Sequence, residues 1–282
     1  METDGTQASG HELDLTNVVT RLNRIRSSTR SRLANSDLTR AFLTSAVALL
    51  EERFGSARPL PVPEDAFPFS FLTRARVLRR AQDDFPELLP TEAKFRDRWA
   101  GQQDFLFDVV SYSLAARRQR HREILGSWVE EALVEEADFV GAVYRLARLA
   151  FGLLSGPEYR LQLLAVAWSN AYGADDAVKD VFAASGRDLV ELCGRIAARY
   201  GLELRPGVSL DDYVLLVSAL AEGMSMRMLA DADGFLADVE GQRELFATGC
   251  VALMMSLVDV GDGLTVEDAA GRRVKGSRSR LS

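Results

Sequence analysis

Two groups of basic side chains have the chemistry to bind a polyanion. Between Arg21 and Arg40 stand six arginines against one acid, Asp37. Further along, Arg74, Arg76, Arg79 and Arg80 fall at helical spacing, and Lys94, Arg96 and Arg98 follow Pro90. Guanidinium and ammonium groups neutralise phosphates, and side chains near the start of an inserted helix read base edges. Thr91 stands where it caps the short basic helix and leaves its amide end facing outward. The Arg21–Arg32 segment has the composition of an arm that enters a minor groove. Acids are interspersed: Asp83, Asp84, Glu87, Glu92 and Asp97 set five against seven basic residues over 71–100, a net +2. Charge runs usually solvate a surface, so charge alone leaves DNA contact open.

Catalytic constellations are weaker. Asp83-Asp84-Phe85-Pro86-Glu87 spells a DDxxE-like cluster of the kind that holds Mg²⁺ against a diphosphate. No matching acidic cluster follows downstream, and its own proline breaks the helix that should present it. Asp175-Asp176 and Asp211-Asp212 sit at helix starts, where acids complement the macrodipole. His11, His121, Cys193 and Cys250 have neither metal-ligand spacing nor a carboxylate partner in sequence. The expectation is a protein without catalysis, metal or cofactor.

The elements that must carry the basic groups are helices. Apolar residues recur at 3.6-residue spacing, and no run alternates as a strand does. A clear amphipathic helix covers 38–54, begun by Ser36-Asp37 and stopped by Gly55. Four prolines (Pro59, Pro61, Pro63, Pro68) make 56–69 a loop. Helical signal resumes over 71–81, 91–99 and from 102 towards 120. Further helices are expected at 127–135, 138–154, 157–172, 175–200, 209–230 and 240–258, with a break at Gly126. Residues 1–15 and a Gly-rich basic tail after 260 read as disordered. The class is all-α.

Charge divides the chain. Residues 1–120 hold 18 Lys/Arg and 16 Asp/Glu (net +2), whereas 121–282 hold 16 and 25 (net −9). The front suits a polyanion that the rear repels. The longest uncharged runs, Leu161–Ala174 and Leu245–Val258, are 14 residues each, too short for a bilayer, which needs about 20. The acids Glu2, Asp4, Glu12 and Asp14 do not make a signal peptide. With only two cysteines, the expected compartment is the reducing cytoplasm, with no membrane partner.

Large side chains between Gly126 and Tyr200 suggest a ligand cavity among helices. Trp128, Tyr144, Phe151, Trp168 and Tyr172 are candidate walls and Arg148 a polar handle, although aromatics at this spacing also build plain core. The helices at 209–230 and 240–258 are apolar enough to associate. Tyr213, Leu216, Leu220 and Met224 form one stripe, and Val251, Met254 and Met255 another; a twofold dimer would bury both.

Three stretches resemble the tetracycline-repressor (TetR) family of transcriptional regulators. LTRAFLTSAVALLEERFG (38–55) is similar to the family's opening helix. TEAKFRDRWAGQQDFLFDVVSYSL (91–114) resembles its recognition helix running into the connecting helix. LDDYVLLVSALAEGMSMRMLAD (210–231) resembles a late helix that, in the family, joins the last one in a four-helix dimer interface. The chain departs from the pattern at a long, proline-containing turn (82–90), at Arg96 in place of a tyrosine, at Gln102 in place of a lysine, and by the insertion 56–69. The resemblance implies a basic N-terminal extension (1–36), a divergent helix-turn-helix unit of three helices (37–120), a ligand-binding and dimerising helical bundle (121–260) and a basic tail (261–282). It implies a homodimer on palindromic double-stranded DNA, through Arg74, Arg76, Arg79, Arg80, Thr91, Lys94, Arg96 and Arg98. A small effector in the second part would modulate DNA affinity. The alternative is a TetR-like dimer that has lost DNA reading and binds a protein or a ligand.

Overall fold

The computed structural model describes residues 13–23, 27–54, 69–136, 138–154, 157–172, 175–231, 234 and 237–278, excluding the side chains of 27, 154, 157, 158, 160, 168–172, 175–177, 229 and 273–278. Among them the chain is all-helical. Eleven α-helices occur: α1 (Ser27–Ala34), α2 (Asp37–Phe54), α3 (Arg74–Asp84), α4 (Glu92–Arg96), α5 (Gln102–Glu135), α6 (Phe139–Leu154), α7 (Pro157–Tyr172), α8 (Asp175–Tyr200), α9 (Leu210–Ala230), α10 (Val239–Leu257) and α11 (Val266–Arg278). The one β-type pairing among described residues is an isolated bridge, Leu204 to Val258. Two compact units form, residues 1–119 with 164–178 and residues 120–163 with 179–282.

In the first unit, α2 buries Thr39, Phe42, Leu43, Ala46 and Leu50, the i, i+3, i+4, i+7 face that its sequence pattern predicts. Phe42 meets Phe95 at 5.2 Å and Trp99 at 6.2 Å, and Phe105 lies 4.8 Å from Phe95 and 4.9 Å from Trp99. These edge-on contacts tie α2, α4, the residues after α4 and the start of α5 into one aromatic core. Thr73 caps α3 and Thr91 caps α4, each hydroxyl accepting a backbone N–H at 3.3 Å.

The turn between α3 and α4 is long but held. Gln82 Nε2 donates to the Pro90 carbonyl at 2.9 Å, and Lys94 Nζ donates to the carbonyls of Leu88 and Leu89 at 3.1 and 2.9 Å. A single 3₁₀ turn (Pro86–Leu88) leads to Leu89, whose φ of 49° is left-handed.

Residues 13–23 correct the expectation of a disordered end and a free basic arm. Leu15 and Val19 are wholly buried and Leu22 nearly so. Their spacing is that of an apolar face, and it packs onto the first unit instead of facing a groove. Of the expected Pro-rich loop 56–69 only Phe69 is among the described residues, and it is buried; residues 56–68 and 1–12 lie outside them. The break at Gly126 is absent, since α5 runs through it. A lone glycine costs a helix only about 1 kcal/mol, and the apolar pattern continues through Val129 and Ala132, both buried. Residues 266–278, expected as disordered tail, form α11.

In the second unit, Val143, Ala147 and Phe151 of α6 pack with Met224 and Met228 of α9 and Phe246, Ala247 and Cys250 of α10. Gly249 permits the approach of α9 to α10, since a β-carbon there would stand 3.0 Å from Leu220 Cδ2. A second cluster, Tyr213, Val214, Met254, Leu257 and Val258, closes the other end. Ser209 and Asp212 form a reciprocal capping box at the start of α9. Buried Arg205 pairs with Asp262 at 2.6 Å and ties the loop before α9 to the loop after α10.

Leu89 supplies a test of the turn. It is 68% exposed, so little packing is lost on truncation, while a left-handed leucine is strained by roughly 1–2 kcal/mol. Leu89→Gly is expected to raise stability by about 0.5–1 kcal/mol in urea unfolding, after the added chain entropy of glycine is subtracted.

Candidate nucleic-acid interface

The eight basic and capping residues expected to face DNA separate into four environments. Arg76 and Arg79 are exposed, lie one turn apart on α3, and have no ion-pair partner among the described residues. Arg74, Arg80 and Arg96 are engaged with acids. Glu92 Oε1 accepts from Arg96 at 2.6 Å and from Arg74 at 3.2 Å, and Arg74 also lies over the Phe95 ring at 5.6 Å. Arg80 bridges Asp84 at 2.6 Å and Glu52 at 2.5 Å, and these carboxylates hold its pKa above the ordinary guanidinium value. Thr91 and Lys94 serve the turn and the cap described above.

Arg98 corrects the expectation most sharply. It is 7% exposed, not projecting. Its Nε donates to Thr39 Oγ1 at 2.9 Å, Nη1 to the Lys94 carbonyl at 2.8 Å and Nη2 to Ser36 Oγ at 3.3 Å, with Cζ 6.0 Å from the centroid of the Phe42 ring. Burial pulls its pKa down, and no carboxylate touches it. The head is satisfied by two hydroxyls and a carbonyl beside the Phe42 ring, and the three methylenes of the stem are buried with it, so an arginine serves as core. Arg96, the last residue of α4, stays exposed, whereas Arg98 lies in the turn that follows the helix and points inward.

Sequence reasoning passed over Asp108, which the structure makes central. Its side chain is fully buried on α5. Oδ2 accepts from Trp99 Nε1 at 2.8 Å, while Oδ1 accepts the backbone N–H groups of Thr20 at 2.9 Å and Arg21 at 3.0 Å. Burial pushes the carboxyl pKa up to about 6 against the opposing pull of those three donors. An acid inside the apolar run Phe105 to Val110 is the signal that could have found it.

In the second unit, Phe151 is buried with its ring 6.0 Å from that of Phe246, Tyr144 packs on the same cluster, and Trp128 is half-buried. Arg148, expected as a ligand handle, pairs with Glu240 at 2.6 Å and with Glu244. The side chains of Trp168 and Tyr172 lie outside the described residues. A cleft of about 320 Å³ occurs in the first unit, lined by Phe69, Leu72, Leu106, Arg74 and Gln102 among others.

The apolar stripes of α9 and α10 are rotated from the expected ones. Tyr213, Met224 and Met254 are buried inside the unit, and Leu220, Val251 and Met255 are half-buried. Of the expected set Leu216 is exposed, and it is joined by Leu215 (68% exposed), Met226 (57%) and, on α10, Leu245 (60%). Cys193 and Cys250 thiols are both pushed up to about 12 by burial, the state of inert core cysteines. Among the described residues no three potential ligands gather to hold a metal, and no helix is long and apolar enough to cross a membrane. Asp83 and Glu87 of the acidic cluster are exposed, and Asp84 is taken by Arg80.

The Asp108 pKa fixes a pH dependence. A carboxyl raised from 3.8 to about 6 by folding favours the folded state below the lower value, and that contribution disappears as pH rises through the upper one. Stability is therefore expected to fall by roughly 2–3 kcal/mol from this group between pH 4 and 6.5. Urea unfolding across that range should show the decline in the native chain and a flatter profile in Asp108→Asn. Comparison with family models, with curated proteins and with solved structures finds no match for this chain.

Proposed function

We propose that the chain is a dimeric, ligand-responsive DNA-binding regulator of the kind its sequence resembles. The observation that carries this reading is the arrangement of α3 and α4. Two threonine-capped helices are joined by a turn pinned from both sides, and a four-ring aromatic core backs them. Arg76 and Arg79 stand exposed on the outer side of the first helix. In a helix-turn-helix the first helix crosses phosphates and the second enters the major groove. Arg96, 64% exposed, adds a third contact. Its pair with Glu92 is no obstacle, because exposed ion pairs are worth about 0–1 kcal/mol and a phosphate replaces the carboxylate readily. Lys94 and Arg98 drop out of the contact set, since one holds the turn and the other fills the core.

Burial of Arg98 and neutralisation of Arg74, Arg80 and Arg96 by acids favour a second reading, a dimer that binds a protein or small ligand without reading DNA. Salt separates the two. Each neutralised phosphate adds about 0.9 to the slope of log affinity against log salt. Arg76→Ala with Arg79→Ala is expected to lower that slope by nearly 2 on the protein's own upstream DNA, with thermal stability unchanged. Salt-independent or absent binding by the native chain selects the second reading.

Both readings contain a dimer. The face proposed for it is the exposed one: Leu215, Leu216, Ala219 and Met226 of α9 with Leu245 and Ala252 of α10. Leu215→Glu combined with Leu245→Glu is expected to convert a dimer to monomer in sedimentation, because charge desolvated at a twofold contact is counted twice. An unaltered dimer would remove this face from the proposal.

A further inference from the structure

We propose that Asp108 is a positioning residue for α4: its carboxylate docks residues 13–23, a strap laid across the first unit, and the docked strap fixes the end of the helix that carries Arg96. The effect on DNA rests on the regulator reading; the docking does not.

The strap touches the first unit at three places. At its start, Arg40 Nη2 donates to the Leu13 carbonyl at 2.7 Å, and Asn35 accepts the Leu15 N–H at 2.8 Å while its amide donates to Asp14 and Thr16 at 2.8 and 3.0 Å. In its middle, Thr20 and Arg21 direct their N–H groups to Asp108, flanked by buried Val19 and Leu22. At its end, Asn23 donates twice to the tail of α4, from its N–H to the Arg98 carbonyl at 2.7 Å and from Nδ2 to the Arg96 carbonyl at 2.6 Å. The last carbonyls of a helix have no partner within it, so the strap supplies what α4 lacks. A helix of five residues falls far below the length that holds itself together.

Asp108 ties the two ends of this arrangement. One carboxylate oxygen takes the strap and the other takes Trp99, the residue three beyond the end of α4. The strap and the helix tail are thus held by a single buried charge. The charged and titratable groups around it are few. Arg21 of the strap lies over Phe107 at 4.7 Å, Arg98 is engaged by Thr39 and Ser36, and Asp104 and Tyr112 stand one turn away on α5, the latter bonded to Thr44 at 3.0 Å.

Asparagine at position 108 would preserve shape but present an N–H₂ group to either Trp99 or the strap amides, so one set of donors loses its acceptor. The test is amide exchange on the full chain, with the Trp99 indole proton followed by NMR. In Asp108→Asn, the amides of Thr20, Arg21, Phe95, Asp97 and Trp99 are expected to exchange about tenfold faster together, with those of α6 and α10 unmoved. The native Trp99 indole signal should titrate with a midpoint near 6, and that of the variant should not. Asn23→Ala removes one exposed contact and keeps the chain folded should Asp108→Asn not fold; it is expected to speed exchange in α4 while Thr20 stays protected. Strap loosening without any change in α4, in either variant, overturns the proposal. On upstream DNA, Asp108→Asn is expected to lose about tenfold in affinity with an unchanged salt slope, since no phosphate contact is removed. Equal affinity of native chain and variant overturns the positioning role. If the native chain binds no DNA, the regulator reading fails and the exchange data alone decide the docking.

Discussion

A helix of five residues cannot stand alone in water, and the first unit is organised around supporting one. Fixing its backbone costs more than its few internal hydrogen bonds return. The deficit is met from three directions. Phe95 anchors α4 in the ring cluster, Arg98 braces its tail against Thr39 and Ser36 of the α2 corner, and Asn23 satisfies its last carbonyls. Asp108 joins the first and third supports, through Trp99 of the ring cluster and through the strap. Each support is polar where the group it meets would otherwise be unsatisfied, and aromatic where it would otherwise be empty. The outward face of α4 is left free because everything that holds the helix lies behind it.

How much of this was legible depends on whether a residue's type matched its surroundings. The amphipathic pattern of α2 and the caps Thr91 and Ser36 could be read directly, because a stripe and a cap are local signals. Arg98 could not, because arginine inside is rare and the aromatic surface that receives its stem is brought together only by folding. The strap was misread for a related reason. Leu15, Val19 and Leu22 carry the signal of a packed face, but Arg21 and the arginines that follow the segment outweigh it. Asp108 was present in plain view as the single acid within Phe105–Val110, and a charge there demands donors. The donors came from backbone N–H groups some 88 residues earlier, which no periodicity reports.

The second unit shows the same limit in an apolar setting. Its helices were recognised, but hydrophobicity does not say which of two apolar stripes on α9 turns inward. Tyr213 and Met224 pack against α10 and the second cluster, and Leu215, Leu216 and Met226 face away. A helix apolar on most of its circumference satisfies a core on one side and leaves a surface on the other that water disfavours. Arg148 pairs with two acids of α10 that only packing of the helices brings within reach, so no local signal in the sequence reports the pair.

The electrostatics then constrain what the α3–α4 face can do. Of the seven basic residues over 71–100, one is buried, one caps carbonyls and three lean on carboxylates. What remains freely available is Arg76 and Arg79. Two or three phosphate contacts per subunit give weak attraction at physiological salt, so two copies on one rigid site are needed for useful affinity. Discrimination would then come from how accurately α4 is held and how well two copies match a spacing, not from charge. In that balance a buried carboxylate that fixes a helix end matters more than another surface arginine, and the two parts of the proposal, positioned helix and twofold pairing, depend on each other.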